Sequence, residues 1–183
     1  MSDVPEAALR ETGAGREPAG DGWFVVNVAD AAWRADAAFG PSCRFESGER
    51  PFPQLGITLR VLEPGKPNCM YHGESIQEDF LVLQGECLLL VEGEERRLRA
   101  WDFVHCPAWT EHVFVGGEAP CVVLMVGARP DDDVVYRVSG LARSHGAGVE
   151  RETRSADEAY APFPRSQPGR PDHASLPWGS GER

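Results

Sequence analysis

The sequence predicts an all-β fold, an antiparallel sandwich or barrel, and two observations carry that prediction. From residue 43 onward the chain breaks into short strand-like segments: CRFES, LGITLRVL, DFLVLQ, ECLLLVEG, ERRLRAW, DFVHCP, HVFVG and PCVVLMVGA. Glycines 65, 85, 93 and 116 and prolines 64, 67, 107 and 120 punctuate them, and short strands at near-regular spacing with Gly/Pro turns are the pattern of antiparallel sheet folded on itself. At 183 residues the chain is long enough for one core with appendages and too short for two comfortable domains.

Taken in order, residues 1–20 are rich in Gly, Pro, Glu and Ala without a period, and read as a flexible leader. The barrel domain is expected over residues 21–138, with its core over 57–128. WFVVNV, residues 23–28, reads as a strand, and DAAWRADAAFG as a short N-terminal helix with Asp30 as N-cap and Gly40 past its end. Gly85 and Gly93 can each supply the positive φ of a tight turn, which predicts two hairpins: DFLVLQ with ECLLLVE, and ECLLLVE with ERRLRAW. The near-continuous apolar run LLLV predicts a strand covered on both faces. Beyond Arg129, DDDVVYRV reads as a last edge strand, its aspartates 131–133 in a solvated turn because the ligand spacing of a calcium loop is absent. SHGAGVERETR reads as a linker, and Ser155 with Glu158 forms an S-x-x-E capping box that starts one or two helical turns. Residues 139–183 are expected as an extended or disordered Pro-rich C-terminal tail that carries Tyr160, Phe163 and Trp178.

Hydrophobic residues make up 42% and charged residues 26%, the usage of ordinary globular proteins. A net charge of -11 repels phosphate backbones and anionic lipid, so the expected partner is a small molecule, with no nucleic acid and no membrane. The first twenty residues hold no apolar stretch of signal-peptide length, and CVVLMVGA is too short to span a bilayer; a soluble, cytoplasmic protein is expected. The five cysteines include no C-x-x-C pair, so no disulfide framework is expected. Cys87 and Cys121 lie within strand-like runs and read as inert packing thiols.

One stretch does not fit a plain scaffold. YHGESIQEDFLVLQG, residues 71–85, sets a histidine and three acidic residues ahead of a strand. On a strand, residues i and i+2 share a face, so His72 and Glu74 project together, with no bulk from Gly73 between them. Glu78 opens the next strand and reaches toward the same point. Forty residues after His72, His112 in PAWTEHVFV stands at the start of another strand-like run. Two imidazoles and two carboxylates meeting from three strands suit one divalent transition metal: Mn, Fe, Ni, Cu or Zn.

Residues 57 to 116 resemble the two motifs of the cupin superfamily. The first motif is a glycine, then H-x-H, three or four residues, a glutamate, six residues and a glycine. His72 matches its first histidine, Glu78 its glutamate and Gly85 its closing glycine, while Glu74 takes the place of the second histidine and Gly65 lies one position early. The second motif runs glycine, five residues, proline, any residue, glycine, two residues, histidine, three residues, asparagine. Pro107 and His112 fall on its positions; Trp101 and Trp109 stand where it has glycines, and Gly116 where it has asparagine. The resemblance covers roughly a third of the chain, and two motifs in register are a specific signal.

It implies an antiparallel double-stranded β-helix, the jelly-roll or cupin barrel, with metal ligands His72, Glu74, Glu78 and His112. Glu74 is a fourth ligand or, swinging free, the catalytic general base; without it the shell is completed by water or Gln77. The doubled carboxylate favours Mn(II) or Fe(II), while intrinsic affinity favours Zn or Cu. Oxygenase, isomerase and decarboxylase chemistry all fit such a centre, as does a non-catalytic binding, storage or sensor protein with a structural ion or none. Barrels of this kind pair through edge strands, so a homodimer reached through WFVVNV is expected. Elsewhere His105 is expected to face outward, Arg60 to reach the rim unless it turns inward to clamp an anion, Glu111 to be a rim charge, and Trp101 and Trp109 to pack.

Overall fold

The computed structural model describes residues 3–129 and 133–178. Its strands are β1 Leu9–Thr12, β2 Gly15–Pro18, β3 Trp33–Ala35, β4 Ser42–Cys43, β5 Leu55–Leu62, β6 Gly73–Glu74, β7 Glu78–Gln84, β8 Glu86–Val91, β9 Glu94–Arg99, β10 Phe103–Cys106, β11 His112–Gly116, β12 Cys121–Ala128, β13 Val134–Val135 and β14 Gln167–Pro168. Two helices of five residues, α1 Gly140–Ser144 and α2 Ala156–Tyr160, follow the barrel strands. One sheet has the order β10-β7-β12-β5-β4-β3-β14 and the other β11-β8-β9. The β6–β13 pair extends the second sheet through a bridge between His72 and His112. All the strand ladders are antiparallel, and two such sheets face to face make the jelly-roll barrel.

Strand alternation sorts the side chains. Phe80 and Val82 on β7, Cys87 and Leu89 on β8, Cys106 on β10, Phe114 on β11 and Val123 on β12 pack into one inner cluster with Leu62. Val82, Phe114 and Val123 are fully buried, and each such side chain contributes about 1.5–3 kcal/mol by leaving water. LLLV is covered on both faces as expected: Leu89 faces the inner cluster, while Leu90 packs outside with Val113, Val115, Ala142 and Ala147.

Several expectations from the sequence are corrected. Residues 3–20 are not a flexible leader: β1 and β2 form a hairpin, Ala7 and Ala14 are buried, and Trp33 N donates to Ala14 O. The small residues read as flexibility permit backbone-to-backbone packing instead; a Cβ on Gly15 would lie 2.1 Å from Ala31 O. The N-terminal helix is absent. Trp33–Ala35 joins a sheet between β4 and β14, with Trp33 1% exposed and its Nε1 donating to Val28 O, so burial and pairing outweigh the weak propensity of so short a helix. Asp36, not Asp30, accepts the turn's amides, those of Ala38 and Phe39. WFVVNV forms no strand: Trp23 makes one bridge, to Glu6.

The β8–β9 hairpin around Gly93 stands, with Glu92 and Gly93 both at positive φ. Around Gly85 there is no hairpin. β7 and β8 belong to different sheets, and Gly85, φ 79°, is the corner between them, where a Cβ would lie 2.8 Å from Pro120 O.

The tail is ordered through Trp178. Ser139 caps α1 and Ser155 caps α2, the latter as the capping box predicts, accepting from Glu158 N. Phe163 and Tyr160 pack on Phe39, and Trp178 stacks on Trp33 at 5.6 Å. β13 is the edge strand expected after Arg129; the turn expected at Asp131 and Asp132 lies outside the described residues. Among the described residues no helix is long and apolar enough to cross a membrane.

Candidate metal centre

His72 and His112 meet across the bridge that joins β6 to β11. His112 N donates to His72 O at 2.8 Å and His72 N to His112 O at 3.3 Å. Directly opposed residues project from one face of a sheet, and the two ring centroids stand 5.1 Å apart. Glu78 opens β7 in the facing sheet; Gly127 lies opposite it on β12, and a Cβ there would meet Glu78 Cγ at 3.6 Å. One ligand atom from each of His72, Glu78 and His112 lies within 4.8 Å of the other two. His112 Nε2 and Glu78 Oε2 are 3.4 Å apart, and donors that share one ion at about 2.1 Å sit roughly 3–4 Å from each other.

The hydrogen bonds orient these donors. His72 Nδ1 meets Met70 O at 2.7 Å, and His112 Nδ1 meets Thr110 O at 3.0 Å. A carbonyl only accepts, so both Nδ1 atoms carry protons, an assignment made from the partners, and Nε2 is left on each ring as the atom that can meet an ion. Both imidazoles are buried, His112 at 2% exposure. The donor set therefore fits a divalent ion: two oriented imidazoles and a carboxylate from two facing sheets.

Electrostatics place one proton in the metal-free site. Burial works against a charge on His72, but Cys69, Glu74 and Glu78 outweigh it, and its pKa rises well above the usual value. His112 is pushed down to about 4, by burial first and then by the charge on His72. One ring is charged and its neighbour neutral, and an ion entering here displaces the proton from His72.

Glu74 stands outside the converging set. Its Oε1 lies 3.2 Å from His72 Nε2, near the site but tied to one imidazole. Gln77 is no substitute ligand, because its amide is exposed and donates to Asp79 Oδ2. Gly73 earns its place between His72 and Glu74: a Cβ there would lie 3.1 Å from Trp109 O. Trp101 and Trp109, which replace motif glycines, keep the left-handed backbone of those positions, at φ 75° and 69°. Neither packs as expected. Trp101 is 74% exposed and Trp109 44%, with the Arg154 guanidinium 5.6 Å from the Trp109 ring.

His105 faces outward and holds Asp79 Oδ1 at 2.7 Å. Glu111 is paired with Arg137 at 2.6 Å. Arg60 turns inward rather than to the rim, its Nη1 donating to the carbonyls of Phe39 and Gly40.

Three neighbours of the site had no sequence signal. Tyr136 stands with its ring 5.8 Å from His72, delivered by the pairing of β13 with β6. Cys69 Sγ lies 3.7 Å from His72 Nδ1. Buried Asn68 pins β11, accepting from Phe114 N and donating its own N–H to Phe114 O. Loop residues without periodicity leave no trace of where their side chains go.

Residues 58–127 match the family model described as Cupin domain. That segment is a cupin domain. A sugar phosphate isomerase of the cupin superfamily from Silicibacter pomeroyi is similar over 74% of this chain and 99% of its own, at 22% identity and a TM-score of 0.53. The polyketide cyclase RemF from Streptomyces resistomycificus is similar over 59% and 82%, at 18% identity and a TM-score of 0.50. At these identities the cupin likeness is one of fold. A chain from Acidithiobacillus ferrooxidans, provisionally assigned as a sugar phosphate isomerase, has 33% identity over 44% of this chain. This chain spans 55% of the length of that one, with a TM-score of 0.43. No curated protein sequence matches the chain.

Proposed function

We propose that this cupin domain is a metal-dependent enzyme that acts on a small organic molecule in the barrel, by oxygenase, isomerase or decarboxylase chemistry. The observation that carries the reading is the convergence of His72, Glu78 and His112 within 4.8 Å, with both imidazoles held by backbone carbonyls. A divalent ion bound there supplies Lewis-acid polarisation or oxygen activation. Three protein donors leave positions for substrate. Phe80 and Phe114 give the site an apolar flank, their rings 5.1 and 6.3 Å from His112. In this reading Glu74, partly exposed and beside His72 Nε2, takes a proton from bound substrate. A non-catalytic binding protein with a structural ion is the second reading, favoured by the depth at which both histidines are buried.

Metal analysis of protein purified without chelator or nickel tests the centre. About one equivalent of ion is expected in the wild type and a loss in His72→Ala and His112→Ala; unchanged content in both variants removes the site. Glu74→Gln separates the two readings: an enzyme retains its ion and loses turnover on its substrate, whereas a binding protein retains both ion and ligand affinity.

A further inference from the structure

Behind His72, on the side away from Glu78, the tail does not close completely onto the sheet. A cavity of about 860 Å³ opens between the segment from Ala156 to Gln167 and strands β3 to β5. Four arginines line it, Arg34, Arg44, Arg60 and Arg165, against two aspartates, Asp36 and Asp157. The local balance is therefore positive in a chain whose net charge is -11. The Asp36 carboxylate is already occupied by the amides of Ala38 and Phe39. Among the described residues Arg44, Arg60 and Arg165 form no ion pair.

Arg60 is the anchor of this arrangement. It sits in the middle of β5, between Leu59 and Val61, which face the outer core. Alternation turns Arg60 inward, and the carbonyls of Phe39 and Gly40 fix its Nη1 edge. Its Nε is buried with no hydrogen-bond partner. A guanidinium held rigid on one edge and unsatisfied on another is preorganised for the planar fork of an oxyanion. Burial weakens its hold on the proton, and nearby Cys69, Tyr160 and Asp36 offset that only in part. Ser42 and Tyr160 line the same cavity and add hydroxyl groups. Cys69 also lines it, with its Sγ 3.7 Å from His72 Nδ1, so the cavity and the candidate metal centre share a wall.

We infer that this arginine-lined cavity is a binding site for a small molecule bearing a phosphate or carboxylate group, anchored on Arg60, with Arg44 and Arg165 at its mouth. The site does not depend on the ion, and chelator-treated protein tests it separately from the metal reading. Isothermal titration with inorganic phosphate and, in a second arm, with succinate is expected to give saturable binding of at least one of the two, which distinguishes the phosphate from the carboxylate source. Arg60→Met is expected to weaken that binding by about tenfold or more, with its circular dichroism spectrum unchanged. Should Arg60→Met fail to fold, the exposed pair Arg44→Ala/Arg165→Ala decides the matter, with several-fold weaker binding expected. Absence of saturable binding of both anions to the wild type overturns the inference. So does wild-type affinity in a folded Arg60→Met, or in the double variant.

Discussion

Adding a divalent ion to chelated protein is predicted to raise its melting temperature by an amount that depends on His112. An ion held only by the folded chain stabilises it by mass action, about 2.7 kcal/mol when present at about a hundred times its dissociation constant. For a chain of 183 residues each kcal/mol moves the midpoint by about 2–4 °C, so the shift is about 5–10 °C. His112→Gln removes one of three converging donors while keeping most of the side-chain volume beside Phe80 and Phe114. If affinity falls about a hundredfold, the same ion concentration equals the new dissociation constant. The stabilisation then drops to about 0.4 kcal/mol, and the shift to a degree or two. Differential scanning fluorimetry of both proteins with Zn(II) and Mn(II) measures the difference. The wild-type shift should also grow with rising pH, because the ion competes with the proton that Cys69, Glu74 and Glu78 hold on buried His72. An undiminished shift in His112→Gln would refute the three-residue centre, and a Glu74→Gln variant as impaired as His112→Gln would make Glu74 a ligand after all.

Other outcomes follow from the same packing. Gly116→Ala puts a Cβ 2.0 Å from Glu63 O and should cost about 2 kcal/mol or more; urea unfolding checks it, and a loss below half that would mean the β11 end yields freely. Trp101→Gly relieves a left-handed backbone at a side chain that is 74% exposed. The relief of about 1–2 kcal/mol, less about 0.4–1 for the freer unfolded chain, predicts a gain of about 0.5–1 kcal/mol, and any loss of stability contradicts it. The pH profile of metal-free protein has two arms. His112, at about 4 when folded, costs stability as pH falls from the unfolded value near 6.5 through 4, because the unfolded chain takes up the proton first. His72, raised when folded, contributes stability that is full below pH 6.5 and lost as pH rises through its folded value. Denaturation at a series of pH values should show the acid arm shrink in His112→Gln, and an unchanged acid arm would show that other groups produce it.

Much of the protein was written locally in its residues. Period-two apolar runs such as LGITLRVL and PCVVLMVGA became β5 and β12, and the capping box at Ser155 became the start of α2, because strand alternation and capping are set within a few residues. His72, Glu78 and His112 were legible because their spacing to Gly85 and Pro107 is itself a short-range pattern. What lay beyond the sequence depended on neighbours far along the chain. Trp33 left its expected helix because burial against Trp178 and pairing with both β4 and β14 outweigh the propensity of eleven residues. Gly85 became a corner and not a hairpin because β7 and β8 chose partners in different sheets. Glu74 fell outside the converging donors, and Arg60 turned into a cavity closed by a tail some hundred residues distant, because where a side chain finishes depends on which surfaces pack around it, and only the assembled sheets and tail supply those surfaces.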